Sequence, residues 1–274
     1  MKKLSIIIAC YNHDQFVREA VKSAYQQDYS NKEIIVINDG STDNSAETLR
    51  ELEKKYKIKV INQENKGVIA ARNRAISQST GDYIICLDAD DYFASSDVVS
   101  TMISKIEEHS NYGVVYGNYS KFGAEKGLVD VKMGTIGQFL TGCNMSVTSL
   151  IRKDLFMKIG GFAYCMEEGF EDTELFIRLA QVCQFAKVEK TIFNYRILKD
   201  SRNMKASVKR KEIFINIIKN NKKIYSDNLE EFYLAVIADK EKLYDKIKKL
   251  NKKRKLLTQA LLLASVAIVT LALY

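Results

Sequence analysis

The sequence predicts an α/β fold with a mainly parallel central sheet flanked by helices, and three observations predict it. As far as Ser120, apolar runs of strand length alternate with amphipathic stretches of helical length. Three of these apolar runs close on a polar cluster, so the chemistry gathers at one sheet edge. The composition is that of a globular chain: 274 residues, 46% hydrophobic and 28% charged, enough to bury a core without a disulfide or metal staple.

The elements follow in order. Ser5–Ala9 reads as a buried strand, and Gln15–Gln27 as a helix with Phe16, Ala20, Val21 and Ala24 on one face. Glu33–Asn38 is the next strand, Asp43–Tyr56 a helix, Ile58–Ile61 a strand and Val68–Ser77 a helix. Asp82–Leu87 and Ser95–Glu108 complete the alternation, which implies parallel pairing under helical cover. From Tyr116 to Phe162 the text is mixed and punctuated by glycine, and Glu171–Val182 then reads as a helix. Asn203–Lys255 is helical, lysine-rich and partly heptad-like through Val236, Leu243, Ile247 and Leu250, which leaves a homo-oligomer open. The chain thus divides into a body (1–200), a basic helical extension (201–255) and a hydrophobic C-terminal segment (256–274).

Charge follows that division. Residues 1–198 carry 24 basic and 26 acidic side chains, whereas the remainder carries 18 basic and 8 acidic ones. A nucleic-acid partner would call for interleaved aromatics or a binding module, and the tail has neither. Leu256–Tyr274 is instead 19 residues without a charge, preceded by Lys252, Lys253, Arg254 and Lys255. That pairing predicts a membrane segment with the body on the cytoplasmic face, either spanning or lying in the interface, with a buried core helix as the alternative. Met1–Cys10 superficially resembles a signal peptide, but its apolar run is too short, and a strand explains it better. The five cysteines are scattered without a CxxC pair, which suits a reducing compartment. Proline and tryptophan are both absent.

Four motifs carry the chemistry. Asp88-Ala89-Asp90-Asp91 follows a strand, and carboxylates at i and i+2 project to one side as hard oxygen ligands for Mg²⁺ or Mn²⁺. A solvated turn in which Asp91 or Ser95 caps the next helix is the competing explanation. Asp39-Gly40-Ser41-Thr42-Asp43 is either a glycine turn with an N-cap or a place where Asp39 accepts the imide proton of uracil. Arg72 stands near a helix start, as a surface cation or as a diphosphate contact. Glu171 and Asp172 open an apolar helix, where capping competes with catalysis. No GxxxxGK[ST] or GxGxxG segment occurs, which removes P-loop and dinucleotide-binding mechanisms.

Taken together and in this order, SIIIACYN, VINDGSTDNS, NKGVIAARNRAI, YIICLDADD, IRKDLF, IGGF and EGFEDTELFIRL resemble the family 2 glycosyltransferases over about residues 4–200. The resemblance implies the nucleotide-sugar-binding GT-A fold and inverting transfer from a nucleoside-diphosphate sugar, usually UDP-linked, to an acceptor hydroxyl. By position, Tyr11 would stack near the base, Asp39 would hydrogen-bond it and Arg72 would meet the diphosphate, with Ala9, Asn12, Ser41 and Ala89 among the donor contacts. Asp88 would hold ribose and metal, Asp90 would ligate a divalent cation, Asp172 would be the general base and Glu171 would orient the acceptor. The family commonly has proline where Ala9 stands, which implies a looser turn into Tyr11. Without tryptophan there is no QxxRW element, so a single transfer per encounter is implied. Tyr195-Arg196 resembles the family's acceptor-side loop.

With the basic apolar tail, the expectation is a metal-dependent glycosyltransferase acting on a lipid-linked or membrane-proximal glycan. The alternative is a catalytically silent nucleotide-sugar-binding or scaffold protein. Phosphoryl transfer through an aspartyl nucleophile would put the DxD after the first strand, where Cys10-Tyr11-Asn12 stands.

Overall fold

The computed structural model describes residues 1–132, 135–142, 145–198 and 206–272, with side chains as far as Leu256. Its first half is the alternation that the sequence predicts: β1 (Leu4–Cys10), α1 (Asp14–Tyr25), β2 (Lys32–Asp39), α2 (Ser45–Tyr56), β3 (Lys59–Gln63), α3 (Gly67–Ser77) and β4 (Tyr83–Asp88). β1 pairs in parallel with β2 and β4, and β2 with β3. Strands covered on both faces read as unbroken apolar runs because both sides of the pleat are core. In β1, Ile6 and Ile8 enter one cluster with Val17 and Val21 of α1, whereas Ile7 enters the other with Ala71 and Ala75 of α3.

The second half departs from the expected parallel order. β5 (Tyr92–Phe93), α4 (Val98–Glu107), β6 (Tyr112–Gly123), β7 (Gly127–Val129), α5 (Ile136–Thr141), β8 (Leu150–Arg152), α6 (Lys153–Lys158), α7 (Glu171–Leu179) and β9 (Gln184–Ile197) follow. The sheet runs β3-β2-β1-β4-β8-β6-β9-β5, with β7 beside β6. Pairing is antiparallel at β4–β8, β8–β6, β9–β5 and β6–β7, and parallel at β6–β9, so the sheet is mixed. The parallel order is interrupted by β8, three residues long, which enters between β4 and β6 antiparallel to both.

The helical character expected over Asn203–Lys255 is present, among the described residues, as three helices: α8 (Arg210–Asn220), α9 (Lys222–Asp227) and α10 (Leu229–Ala272), with 203–205 outside the described residues. Asn221 and Asn228 form the breaks, at φ −118° and −124°. The stretch begins on the body: Ile213, Ile217 and Tyr225 are buried with Phe139 and Leu140, and Tyr225 Oη donates to the Leu140 carbonyl at 2.9 Å. Gly137 of α5 allows α10 to approach, since a Cβ there would lie 2.1 Å from the Glu231 carbonyl oxygen. From Val236 to Leu256 nearly every side chain of α10 is exposed. The hydrophobic segment expected at 256–274 lies, beyond Leu256, outside the residues whose side chains are described, and among the described residues no helix is long and apolar enough to cross a membrane.

Candidate active site

Register places the first four strand ends side by side. Cys10 stands opposite Asn38, Asp39 opposite Gln63, and Ala9 opposite Asp88. The polar clusters after β1, β2 and β4 therefore share the carboxyl edge of the parallel half, the position where such sheets bind ligands.

On the β1–β2 side the loops are laced together. Asn12, in the left-handed region at φ 55°, receives the Thr42 backbone N–H on Oδ1 at 2.7 Å, while its own N–H donates to Ser41 Oγ at 3.0 Å. The N–H groups of His13 and Asp14 donate to Ser45 Oγ at 3.0 Å and Asp43 Oδ2 at 3.1 Å. Three successive backbone donors after Tyr11 are thus pinned by the neighbouring loop. Ser41 serves this lacing, Tyr11 keeps its ring 44% exposed, and Ala9 is half-buried. Asp39 is buried and accepts twice on Oδ1, from Gln63 Nε2 at 2.6 Å and the Lys66 N–H at 2.9 Å. Its turn depends on Gly40 at φ +70°, where a Cβ would sit 2.6 Å from the Asn65 nitrogen.

Arg72 is the centre of the other side, and it is buried rather than a surface cation. Its guanidinium is 3% exposed, with Nη1 donating to Glu171 Oε1 at 2.7 Å and Nη2 donating to Asp88 Oδ1. Phe162 lies against it, ring centroid 5.6 Å away. Burial works against the charged form, but the two carboxylates outweigh it and hold the arginine's proton affinity above its ordinary value. Glu171, expected to orient an acceptor, is likewise buried and ion-paired. The Arg72–Glu171 ion pair joins α7 to α3 across 99 residues of sequence, and the bond from Arg72 to Asp88 extends the link to the end of β4.

Beside this pair, Asp172 is half-buried, and its Oδ1 accepts the Thr173 N–H, one of the free donors in the first turn of α7, at 2.7 Å. Desolvation first, and then the charge of Glu171, pushes its pKa up to about 7. A carboxyl poised near neutrality at a sheet edge is suited to accept a proton. Phe170, immediately before this helix, is left-handed at φ 59°. It and Asn12 are two of the three non-glycine residues with positive φ among the described residues, and both flank the site.

The acidic loop completes the arrangement. Asp90 is half-buried, and Asp91 is 2% exposed. Burial and the charge of Asp88 raise the pKa of Asp90, with His13 opposing, and burial with both neighbouring carboxylates raises that of Asp91 further. Neither Asp91 nor Ser95 is the N-cap of α4, a place taken by Asp97. Ala89 is buried between the two acids of the motif. Asp88 and Asp90 offer carboxylate oxygens at i and i+2, Asp88 through the oxygen that Arg72 does not hold. Among the described residues no group of three or more His, Cys, Asp or Glu could hold an ion unaided. Such donors fit a hard cation that completes its shell with ligand phosphates and water, rather than a closed protein cage.

Sequence reasoning misses the bonds of Gln63 to Asp39 and all the contacts of Arg196, which hydrogen-bonds the loop at Asp90 and Asp91. Neither has a local signature, because each is made by register or by distant pairing. Cys10, Cys86 and Cys183 have thiols raised by burial to about 11, 12 and 11, so they are protonated at neutral pH, and Cys165 is exposed.

A mixed sheet whose parallel half gathers the acidic loop at its carboxyl edge is a GT-A-like α/β fold. Residues 5–173 match the family described as Glycosyl transferase family 2, and the chain belongs to that family. It is 38% identical over 127 residues to Glycosyltransferase GlyA of Streptococcus pneumoniae serotype 4, covering 46% of this chain and 18% of that protein. It is also 38% identical over 116 residues to a poly-beta-1,6-N-acetyl-D-glucosamine synthase of Staphylococcus epidermidis, covering 42% and 28% respectively. The matched segments thus span less than a third of these relatives. Among solved structures, S. aureus TarS 1–349 in complex with UDP-GlcNAc superposes with a TM-score of 0.62 at 17% identity over 85% of this chain and 79% of that one. The mannosyltransferase PcManGT from Pyrobaculum calidifontis, in complex with GDP-Man and Mn²⁺, gives 0.57 at 16% over 86% and 74%. At these identities the likeness concerns the fold.

Proposed function

We propose that this chain is an inverting glycosyltransferase that moves a sugar from a nucleoside-diphosphate donor, UDP-linked, to a hydroxyl of a membrane-proximal or lipid-linked glycan. The observation that carries it is the ion-paired geometry at the sheet edge: Arg72 bonds both Glu171 and Asp88 and so ties the helix that bears Asp172, a carboxyl raised by burial to about 7, to the acidic loop. Family membership and the UDP-GlcNAc complex of a fold neighbour support the donor class.

In this reading Asp172 takes the proton of the acceptor hydroxyl while that oxygen bonds to the anomeric carbon. The bond from that carbon to the diphosphate breaks on the opposite face, and the diphosphate leaves with the electron pair, so one displacement inverts the configuration. A divalent cation, Mn²⁺ or Mg²⁺, held by Asp88 and Asp90, would supply positive charge where the diphosphate departs. Arg72 and Glu171 act on position and proton affinity: the guanidinium steadies Asp88, and the Glu171 charge keeps Asp172 basic. The ring of Tyr11 and the carboxylate of Asp39 would receive the nucleobase.

Membrane proximity is supported by α10, which exposes Leu243, Ile247 and Leu250 beside Lys246, Lys249 and Lys253, just before a charge-free run. This pattern fits an anionic cytoplasmic leaflet; pairing of two chains through the heptad-like stripe is its rival for the same face. The test is sugar transfer from UDP-sugars to membrane-extracted acceptors by the wild type and Asp172→Asn. Loss of roughly 10²- to 10⁴-fold in kcat is expected for removal of a general base; an unchanged rate contradicts the assignment.

A further inference from the structure

We infer that Arg196 is a positioning residue of the donor site: it fixes the backbone of the acidic loop, and through it the direction of the Asp90 carboxylate. The donor-site part of this inference rests on the function proposed above, whereas the fixing of the loop does not. Arg196 lies near the end of β9, beyond the segment 5–173 that matches the family.

Its contacts converge on the loop from three elements. Nε donates to the Asp90 carbonyl oxygen at 2.9 Å, and the Arg196 backbone N–H donates to Asp91 Oδ1 at 2.7 Å. Nη2 donates to Glu19 Oε2 of α1 at 2.6 Å. The guanidinium plane is held between the Phe16 ring of α1, 4.5 Å from its centroid, and the Phe122 ring of β6, at 4.3 Å. Phe122 is the register partner of Arg196 in the β6–β9 ladder, so the stacking is built into the strand pairing. Just downstream, Tyr92 and Phe93 pair with Asn194 and Phe193, which fastens the far end of the loop to the same strand.

These bonds seize the main chain of Asp90 and the side chain of Asp91, and none of them uses the Asp90 carboxylate. The loop is held by everything except the group that would meet a ligand. Only an arginine meets this specification, since a planar cation can stack between two rings while its edge donates in two directions. A lysine would keep the charge near Glu19 and lose both the stack and the directed bond to the Asp90 carbonyl.

The experiment compares full-length wild type, Arg196→Ala, Arg196→Lys and Glu19→Gln by hydrogen exchange and by calorimetric titration with UDP in the presence of Mn²⁺. The reporter amide is Asp91, whose N–H donates to the Asp88 carbonyl at 3.0 Å. In Arg196→Ala, amides from Asp90 to Tyr92 are expected to exchange at least tenfold faster while those of β1 and β2 stay within twofold. UDP affinity should fall about tenfold. Arg196→Lys should resemble the alanine variant, and Glu19→Gln the wild type. Unchanged loop exchange, or an equal rise across the whole sheet, overturns the inference. Faster loop exchange with unchanged UDP affinity overturns the donor-site role. If the wild type binds no UDP, the proposed function fails on its own, and exchange alone decides whether Arg196 fixes the loop.

Discussion

Asp172 has opposite effects on stability and on rate. Its folded pKa of about 7 lies above the unfolded value of about 3.9, so the folded chain binds the extra proton between them. Its contribution to stability is therefore fully present below pH 4 and is lost as pH rises towards 7. Activity should run the other way, with an acid limb near pH 7 as the base deprotonates. Glu171→Gln removes a neighbouring negative charge, so the acid limb should move to lower pH; a pH–rate profile that stays put would show that Glu171 does not set the base. Arg72→Met should cost about 3–5 kcal/mol in urea unfolding, because it leaves two acidic partners facing an apolar side chain. At this scale the positions of Asp39, Asp88, Asp90, Glu171 and Asp172 were legible from their places after strands or at a helix start. The partners of Arg72, 16 and 99 residues away, were not, because a buried ion pair leaves no mark in local spacing.

Elements divide in the same way. The β1-to-β4 half was legible because runs buried on both faces and amphipathic helices are local patterns, and only their ends shifted by a few residues. β5 has two residues, and β7 and β8 have three each, too short for any periodicity, and they exist only because neighbouring strands receive them. β9 has fourteen, but its pairing with β6 carries register shifts that no alternation announces. Asn221 breaks the long helix because its side chain is spent on Glu174 Oε1, at 3.2 Å, and on the Ile217 carbonyl, at 3.0 Å. The β2–α2 turn makes the sharpest prediction here. Gly40→Ala combines a left-handed φ with a Cβ placed against the Asn65 backbone, and should lower stability by more than about 1 kcal/mol in urea unfolding. A neutral result would mean that the turn can reshape without disturbing Asp39.

Over the whole molecule, the proposed function gives the near-neutral body the donor chemistry at the sheet edge and the basic extension the attachment through α10. Replacing Lys252, Lys253, Arg254 and Lys255 by glutamine should weaken binding to anionic vesicles by about 1 kcal/mol per charge at low salt, read from vesicle flotation. Equal binding to neutral vesicles would contradict an electrostatic attachment. The central claim, that the carboxyl edge of this sheet binds a nucleoside-diphosphate sugar through its acidic loop, is tested most directly by calorimetric titration of the full chain with UDP, with and without Mn²⁺, beside Asp90→Asn. The account predicts metal-dependent binding by the wild type and its loss in the variant. Binding of UDP that ignores both the metal and Asp90, or no binding of UDP at all, would contradict it.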